Sequence, residues 1–297
     1  MHMARVKKSR KNDPSYKRHK SNASDTQRII PIVSLTPSST TKIGRTDRLL
    51  SGLNHRLYRQ HGAYNIKIDL LSSAEVPSIR VYTLATTWWT KRSIQMAKQI
   101  HDIALEEERA MTPGARWYDF RIDDNSGTVD ELVTDLRDVP GAPSSPVTHP
   151  GEYAFSQIED TAGNSREFRL IGATSPTGWN IFDEYDALGN TARDPDQPLP
   201  AGSGYDGADA TLDGQNISHL NNKGDLPPYD GTDFSAQKFR EVANLYRHSN
   251  GNQRLSTGFF EAPLGMFWVV YGSADQAIRL QLECKAGKYK GVHMEAY

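Results

Sequence analysis

Between residues 64 and 84 the chain alternates apolar and polar side chains with a period of two. The pattern runs through Tyr64-Asn65-Ile66-Lys67-Ile68-Asp69-Leu70 and again through Ile79-Arg80-Val81-Tyr82-Thr83-Leu84. Successive side chains face opposite ways only in an extended strand, so each segment is predicted to bury one face and wet the other. The same reading gives strands at 117–122, 152–158, 167–173, 179–182, 254–260, 265–271, 277–285 and 289–295. Residues 265–271, Gly-Met-Phe-Trp-Val-Val-Tyr, are apolar on both faces, which predicts a central strand buried between layers. Arg28-Ile29-Ile30-Pro31-Ile32-Val33-Ser34-Leu35 holds a proline, which confines it to a sheet edge or to a segment added to another sheet.

From about 89 to 111 the period lengthens. Ile94, Ala97, Ile100 or His101, Ala104 and the neighbouring Ile103 and Leu105 form one apolar stripe, and Glu106 to Arg109 form a wet face before Pro113-Gly114. This is the one long helix the sequence predicts. The expected class is therefore all-β: a β-sandwich or single jelly roll of two packed antiparallel sheets, with one amphipathic helix inserted between early strands.

Two stretches interrupt the strands. Residues 140–146 are a proline-rich loop, and about 183–233 is a long acidic connection holding eleven Asp or Glu against Arg193 and Lys223. Asp206, Asp209 and Asp213 are weak calcium candidates, since carboxylates are the hard ligands that ion takes. Their spacing matches no calcium loop, and a solvated outward loop is the plainer expectation.

The net charge of -1 hides a segregation. Residues 1–20 carry Arg5, Lys7, Lys8, Arg10, Lys11, Lys17, Arg18 and Lys20 against Asp13 alone, a sum of +7, which leaves -8 on the rest. With few side chains to bury, residues 1–27 are expected to be a flexible arm ahead of a folded domain at 28–297. Dense positive charge on such an arm suits a polyanion, because neutralised phosphates release counterions without any base being read. A second basic tier follows at Arg28, Lys42, Arg45, Arg48, Arg56 and Arg59.

Enzymatic signatures are absent from the sequence. There is no phosphate loop ending in Gly-Lys-Ser/Thr, no dinucleotide fingerprint, no His-Glu-x-x-His and no Gly-x-Ser-x-Gly. Cys284 excludes an intramolecular disulfide and, lying in phase with Ile278, Leu280 and Leu282, reads as a small buried hydrophobe. Asp123-Asp124 and Glu159-Asp160 read as turn-capping carboxylates, and Trp88-Trp89 as a packing anchor. No apolar run approaches the roughly 20 residues that span a bilayer, and no apolar stretch follows the N-terminal charges. Neither membrane insertion nor secretion by a signal peptide is expected, nor is any catalytic residue, cofactor or resident metal.

The order of basic arm, two strands, one helix and six to eight further strands with long acidic loops resembles the single-jelly-roll capsid proteins of small icosahedral viruses. The stretch Val81-Tyr82-Thr83-Leu84-Ala85-Thr86-Thr87-Trp88-Trp89, leading through the helix to Ala115-Arg116-Trp117-Tyr118-Asp119-Phe120-Arg121, is similar to capsid proteins of circular single-stranded DNA (CRESS-type) viruses. The resemblance implies copies of the chain tiling a closed shell, arms inward on a genome of single-stranded DNA in preference to RNA, and a location in the virion, with the host nucleus reachable through the arm. Two other classes compete. A carbohydrate-binding or glycosidase β-sandwich would use Trp179, Tyr205 and Tyr229 as stacking platforms but leaves the arm unexplained. A cellular nucleic-acid-binding module would put basic residues on the folded surface, against the acidity of the body.

Overall fold

The computed structural model describes residues 26–35, 40–72, 75–111, 119–124, 130–137, 155–159, 165–172, 178–189, 238–272 and 277–297. Among them the order is β1 (Ile29–Pro31), β2 (Thr40–Arg45), α1 (Thr46–Asn54), β3 (Gly62–Leu70), β4 (Val76–Leu84), α2 (Trp88–Met111), β5 (Asp130–Glu131), β6 (Gln157–Glu159), β7 (Ser165–Arg169), β8 (Gly178–Asn180), α3 (Ile181–Gly189), β9 (Phe239–Arg247), β10 (Gln253–Arg254), β11 (Phe260–Pro263), β12 (Met266–Tyr271), β13 (Leu280–Cys284), β14 (Ala286–Tyr289) and β15 (Met294–Ala296). Residues 1–25, the loop at 140–146 and residues 190–233 of the acidic connection, Asp206, Asp209 and Asp213 included, lie outside the described residues.

The alternation in residues 64–70 does what a period of two must. Tyr64, Ile66, Ile68 and Leu70 of β3 are buried, while Asn65, Lys67 and Asp69 between them are partly exposed. In the first sheet the order is β1-β13-β3-β11, with β15 also paired to β3. The second sheet has the order β10-β9-β4-β12-β2-β5 and is antiparallel apart from the two-residue β2–β5 pairing. A small third sheet joins β6, β7 and β8. Pro31 sits on the outermost strand of the first sheet, where its missing N–H breaks no ladder.

Two cores result. Between the sheets, Ile66, Ile68, Leu280 and Leu282 meet Ile79, Val81, Phe267, Val269 and Tyr271. On the outer face of the second sheet, Met266, Trp268, Ile43 and Leu84 are covered by Trp89, Ile94 and Ala97 of α2 and by Ile181 and Phe182 of α3. The strand β12 therefore contributes to both cores, as its unbroken apolar run predicts, and each such side chain contributes about 1.5–3 kcal/mol on burial. Its ring at Phe267 lies against Gly44, where an added Cβ would come within 2.0 Å of the ring. Leu264 and Gly265, both at positive φ, make the turn that carries the chain from β11 in one sheet to β12 in the other.

The all-β class, the two packed antiparallel sheets and the one long helix expected near 89–111 hold; two nine-residue helices, α1 and α3, are present besides it among the described residues. Residues 181 and 182, expected in a strand, open α3, because Asn180 caps it by accepting hydrogen bonds from the N–H groups of Phe182 (3.2 Å) and Asp183 (3.4 Å). Residues 119–122 form no strand. The segments expected at 254–260 and 289–295 each break at a turn, near Gly258 and at Lys290-Gly291. On α2, His101 joins the buried face, whereas Ile103 points outward at 56% exposure. Trp89 stacks on Phe182 at 4.7 Å as an anchor would, but Trp88 is exposed. Cys284 is buried, and burial pushes its thiol pKa up, away from any nucleophilic state near neutral pH.

Candidate nucleic-acid interface

Of the sequence-predicted basic residues, Arg28, Lys42, Arg45, Arg48, Arg56 and Arg59 are described, and they do not act as one tier. Arg45 ends β2 with its side chain 6% exposed. Its guanidinium reaches Asp123 at 3.0 Å, Asp124 at 3.3 Å and Glu131 at 2.8 Å, donates to the carbonyl of Ile122 at 2.9 Å, and lies 4.8 Å over the Phe155 ring. A buried arginine already engaged by three carboxylates presents nothing to a polyanion, so Arg45 leaves the set of candidate ligands and Asp123-Asp124 are its counterions rather than turn caps. Arg48 pairs with Glu131 on the same hub. Arg28 and Lys42 are partly buried, just ahead of β1 and on β2.

Arg56 and Arg59 lie on the loop between α1 and β3, both exposed. That loop is held by tyrosines. His55 takes a left-handed conformation (φ 47) at the end of α1, and the Arg56 N–H closes back onto the Ser51 carbonyl at 3.1 Å. The Tyr58 hydroxyl donates to the Lys290 carbonyl (3.0 Å), the Tyr64 hydroxyl to the Arg59 carbonyl (2.6 Å), and the Arg59 N–H to the Tyr289 hydroxyl (3.0 Å). Tyr58 and Tyr64 are fully buried, and burial raises the pKa of all three phenols, keeping Tyr58 and Tyr64 protonated as donors and Tyr289 an uncharged acceptor.

This scaffold brings Lys290, at the turn between β14 and β15, beside the two arginines. Lys290 donates to the Leu57 carbonyl and lies 5.4 Å over the Tyr289 ring. Its pKa is lowered, first by desolvation and then by the charges of Arg59 and Arg56. The nearest carboxylate is Asp119, which takes Arg59 Nε at 3.1 Å on one oxygen while its other oxygen is buried without a hydrogen bond. Beyond Arg59 opens a cleft of about 340 Å³ lined by His61, Lys98, His101, Asp102 and Asp119 as well. Burial holds both histidines below their ordinary pKa; Arg59, Lys98 and Lys290 depress His61 further, while Asp102 pulls the other way on His101. Lys98 pairs with Asp102. Both imidazoles therefore face the cleft uncharged at neutral pH, beside the two cations, Arg59 and Lys98, and the two carboxylates, Asp102 and Asp119, that line it.

Lys290, His61, Lys98 and Asp119 were not legible as partners of Arg56 and Arg59. One signal did exist: Lys285, Lys288 and Lys290 interleave with Tyr289 near the end of an acidic body. Among the described residues no group of three or more His, Cys, Asp or Glu is placed to hold a metal ion, and no helix is long and apolar enough to cross a membrane. Trp179 packs edge-on to Phe168 in the outer core, partly buried, and is no open platform for a sugar. The chain matches no protein-family model, no curated protein and no solved structure.

Proposed function

We propose that the chain is a capsid protein: a single jelly roll that assembles with copies of itself into a closed shell and packages a nucleic-acid genome, single-stranded DNA by preference, through residues 1–27. The observation that carries this reading is the segregation of charge, +7 on residues 1–20 against -8 on the remainder. A body of that sign does not attract a polyanion by its net field, whereas eight cations on one short segment do. The two-sheet sandwich supports it, since early strands β2, β3 and β4 pair with late strands β9, β11, β12 and β13, and the chain passes between layers as a jelly roll requires. The exposed cations Arg56 and Arg59, with the half-buried Lys290 beside them, add a basic area on the folded body itself.

In this mechanism one arm binds weakly and salt-sensitively, and many arms facing one interior bind by multivalency. With up to eight phosphate contacts per arm, affinity for single strands falls with roughly the fifth to sixth power of salt concentration. Sizing and negative-stain microscopy of the full chain test the reading. Particles of megadalton size with nucleic-acid absorbance are expected, and the same particles without that absorbance after deletion of residues 1–20. A lone monomer, or truncated particles that keep their nucleic acid, would overturn it.

A further inference from the structure

We propose that the cleft beside Arg59, lined also by His61, Lys98, His101, Asp102 and Asp119 and with Arg56 and Lys290 close to Arg59, is a binding site for a single phosphate oxyanion, whose grip tightens as the histidines protonate.

Three observations carry it. The Lys290 turn is held on the loop that carries Arg56 and Arg59, with Lys290 donating to the Leu57 carbonyl and the Tyr58 hydroxyl to the Lys290 carbonyl; burial and then the charges of Arg59 and Arg56 lower the Lys290 pKa, and Asp119 is the one carboxylate paired with Arg59. A fold gains nothing from cations that oppose one another, and an anion relieves that opposition. The positions are also rigid: the loop bearing both arginines is tied to Tyr64, Tyr289 and the Lys290 turn by hydrogen bonds between tyrosine hydroxyls and backbone groups, so the cations converge before any ligand arrives. And Arg59 spends only Nε on Asp119, leaving the rest of its guanidinium at 55% side-chain exposure, the geometry that suits an oxyanion.

The pH dependence follows from what surrounds each imidazole. His61 faces Arg59, Lys98, Lys290 and Asp119 and lies 5.9 Å from the Tyr289 ring. His101 faces Asp102, Lys98 and Asp119, with Phe120 and Phe168 beside it. A bound anion offsets the cations that oppose protonation of His61, so binding takes up protons and strengthens as pH falls below the histidine range. The source of the phosphate, a nucleic-acid backbone or free phosphate, is the one part that rests on the capsid reading.

Calorimetric titration of the full chain with inorganic phosphate and with a short oligothymidylate, whose charge is constant over the range, tests the site at about pH 7.5 and about pH 5.5. Arg59→Gln is expected to weaken both probes about tenfold or more, as loss of a charge-assisted hydrogen bond does. Asp119→Asn is expected to strengthen them by freeing Arg59, a gain that a merely structural ion pair would not produce. His61→Gln is expected to reduce the acid-side gain in oligothymidylate affinity. Binding of inorganic phosphate alone through Arg59 supports the oxyanion site and identifies free phosphate as its ligand. Wild-type affinity for both probes in Arg59→Gln and Asp119→Asn overturns the site, and unchanged pH dependence in His61→Gln overturns the acid tightening. Assembly and packaging by residues 1–20 are read separately, by particle size and absorbance, so either proposal can fail alone.

Discussion

Arg45 and Arg59 flank the same short helix, α1, and their closest contacts to a carboxylate are similar, 2.8 Å from Nε to Glu131 and 3.1 Å from Nε to Asp119. What differs is burial and the count of partners. Arg45 is 6% exposed among three carboxylates, and Arg59 is 55% exposed with one carboxylate and two neighbouring cations. The first arrangement joins β2 to residues 122–124 and β5 and is complete in itself; the second is left with excess positive charge at the surface. Clustered arginines in a sequence therefore divide into those that hold the fold and those available to a ligand, and the division is set by which strand ends and loops converge on each.

The largest expected effect breaks the first arrangement. Arg45→Met leaves Asp123, Asp124 and Glu131 without their shared cation in a largely desolvated setting, and removal of one partner from a buried pair costs about 3–5 kcal/mol. Chemical denaturation of wild type and variant measures it, with a shift in midpoint at constant slope. The second effect runs the other way. Asp47, in the first turn of α1 and 2% exposed, has its carboxyl pushed up to about 6 by burial, against the pull of Arg45 and Arg121. A folded pKa above the unfolded 3.8 means that the native state holds the proton longer, so stability falls as pH rises from about 4 to about 6 and stays lowered above that. Asp47→Asn is expected to stabilise by roughly 3 kcal/mol at neutral pH and by almost nothing near pH 4, measured as the difference between the two denaturation profiles.

Much of this fold was readable because its central strands obey simple periods: the alternation of β3, the proline on edge strand β1 and the doubly apolar β12 each specify their place in the sheets. What escaped had weak patterns for identifiable reasons. Strand β9, Phe239–Arg247, has only Ala243 and Leu245 buried, with charges elsewhere, and β2 has one large apolar residue, Ile43. Helix α1 is only nine residues long, and its short apolar stripe of Leu49, Leu50 and Leu53 is interrupted by the buried polar residues Thr46, Asp47 and Ser51. In α3 the Asn180 cap and the acids of its first turn were a usable helix signal that three preceding strand-like residues obscured. The cleft was the least legible part. Arg59, Lys98, Asp119 and Lys290 come from four distant segments; the tyrosine-pinned loop closes on the β14–β15 turn, and Asp119 and α2 meet it there only in the folded chain.

A smaller effect is expected from the cleft histidines. With folded pKa values below 6.5, His61 and His101 stay neutral while the unfolded chain takes up protons. Stability should fall as pH drops through and below 6.5, opposite in sign to the Asp47 effect in the window where the two overlap. Measured in the Asp47→Asn background, where the opposing titration is gone, the acid limb should be plain, and the further change His61→Gln should flatten it. An acid limb of unchanged steepness would remove His61 from this account.

The smallest expected effect is at Arg59, and it separates the two arginines most directly. Arg59→Gln removes an exposed ion pair, and such pairs contribute about 0–1 kcal/mol after solvent screening. It also removes one of the charges that oppose Lys290, a gain of the opposite sign, while Asp119 loses its cation, a loss. These contributions nearly cancel, so the denaturation midpoint should move by less than about 1 kcal/mol, well short of the Arg45→Met shift. The expectation discriminates because residue type is the same and contact distance similar at the two positions. If Arg59→Gln were as damaging as Arg45→Met, the cation cluster would be a structural joint like the first, its crowding compensated within the fold, and the argument that it awaits an anion would lose its premise. If stability holds while phosphate binding falls, the excess charge on this loop serves a ligand.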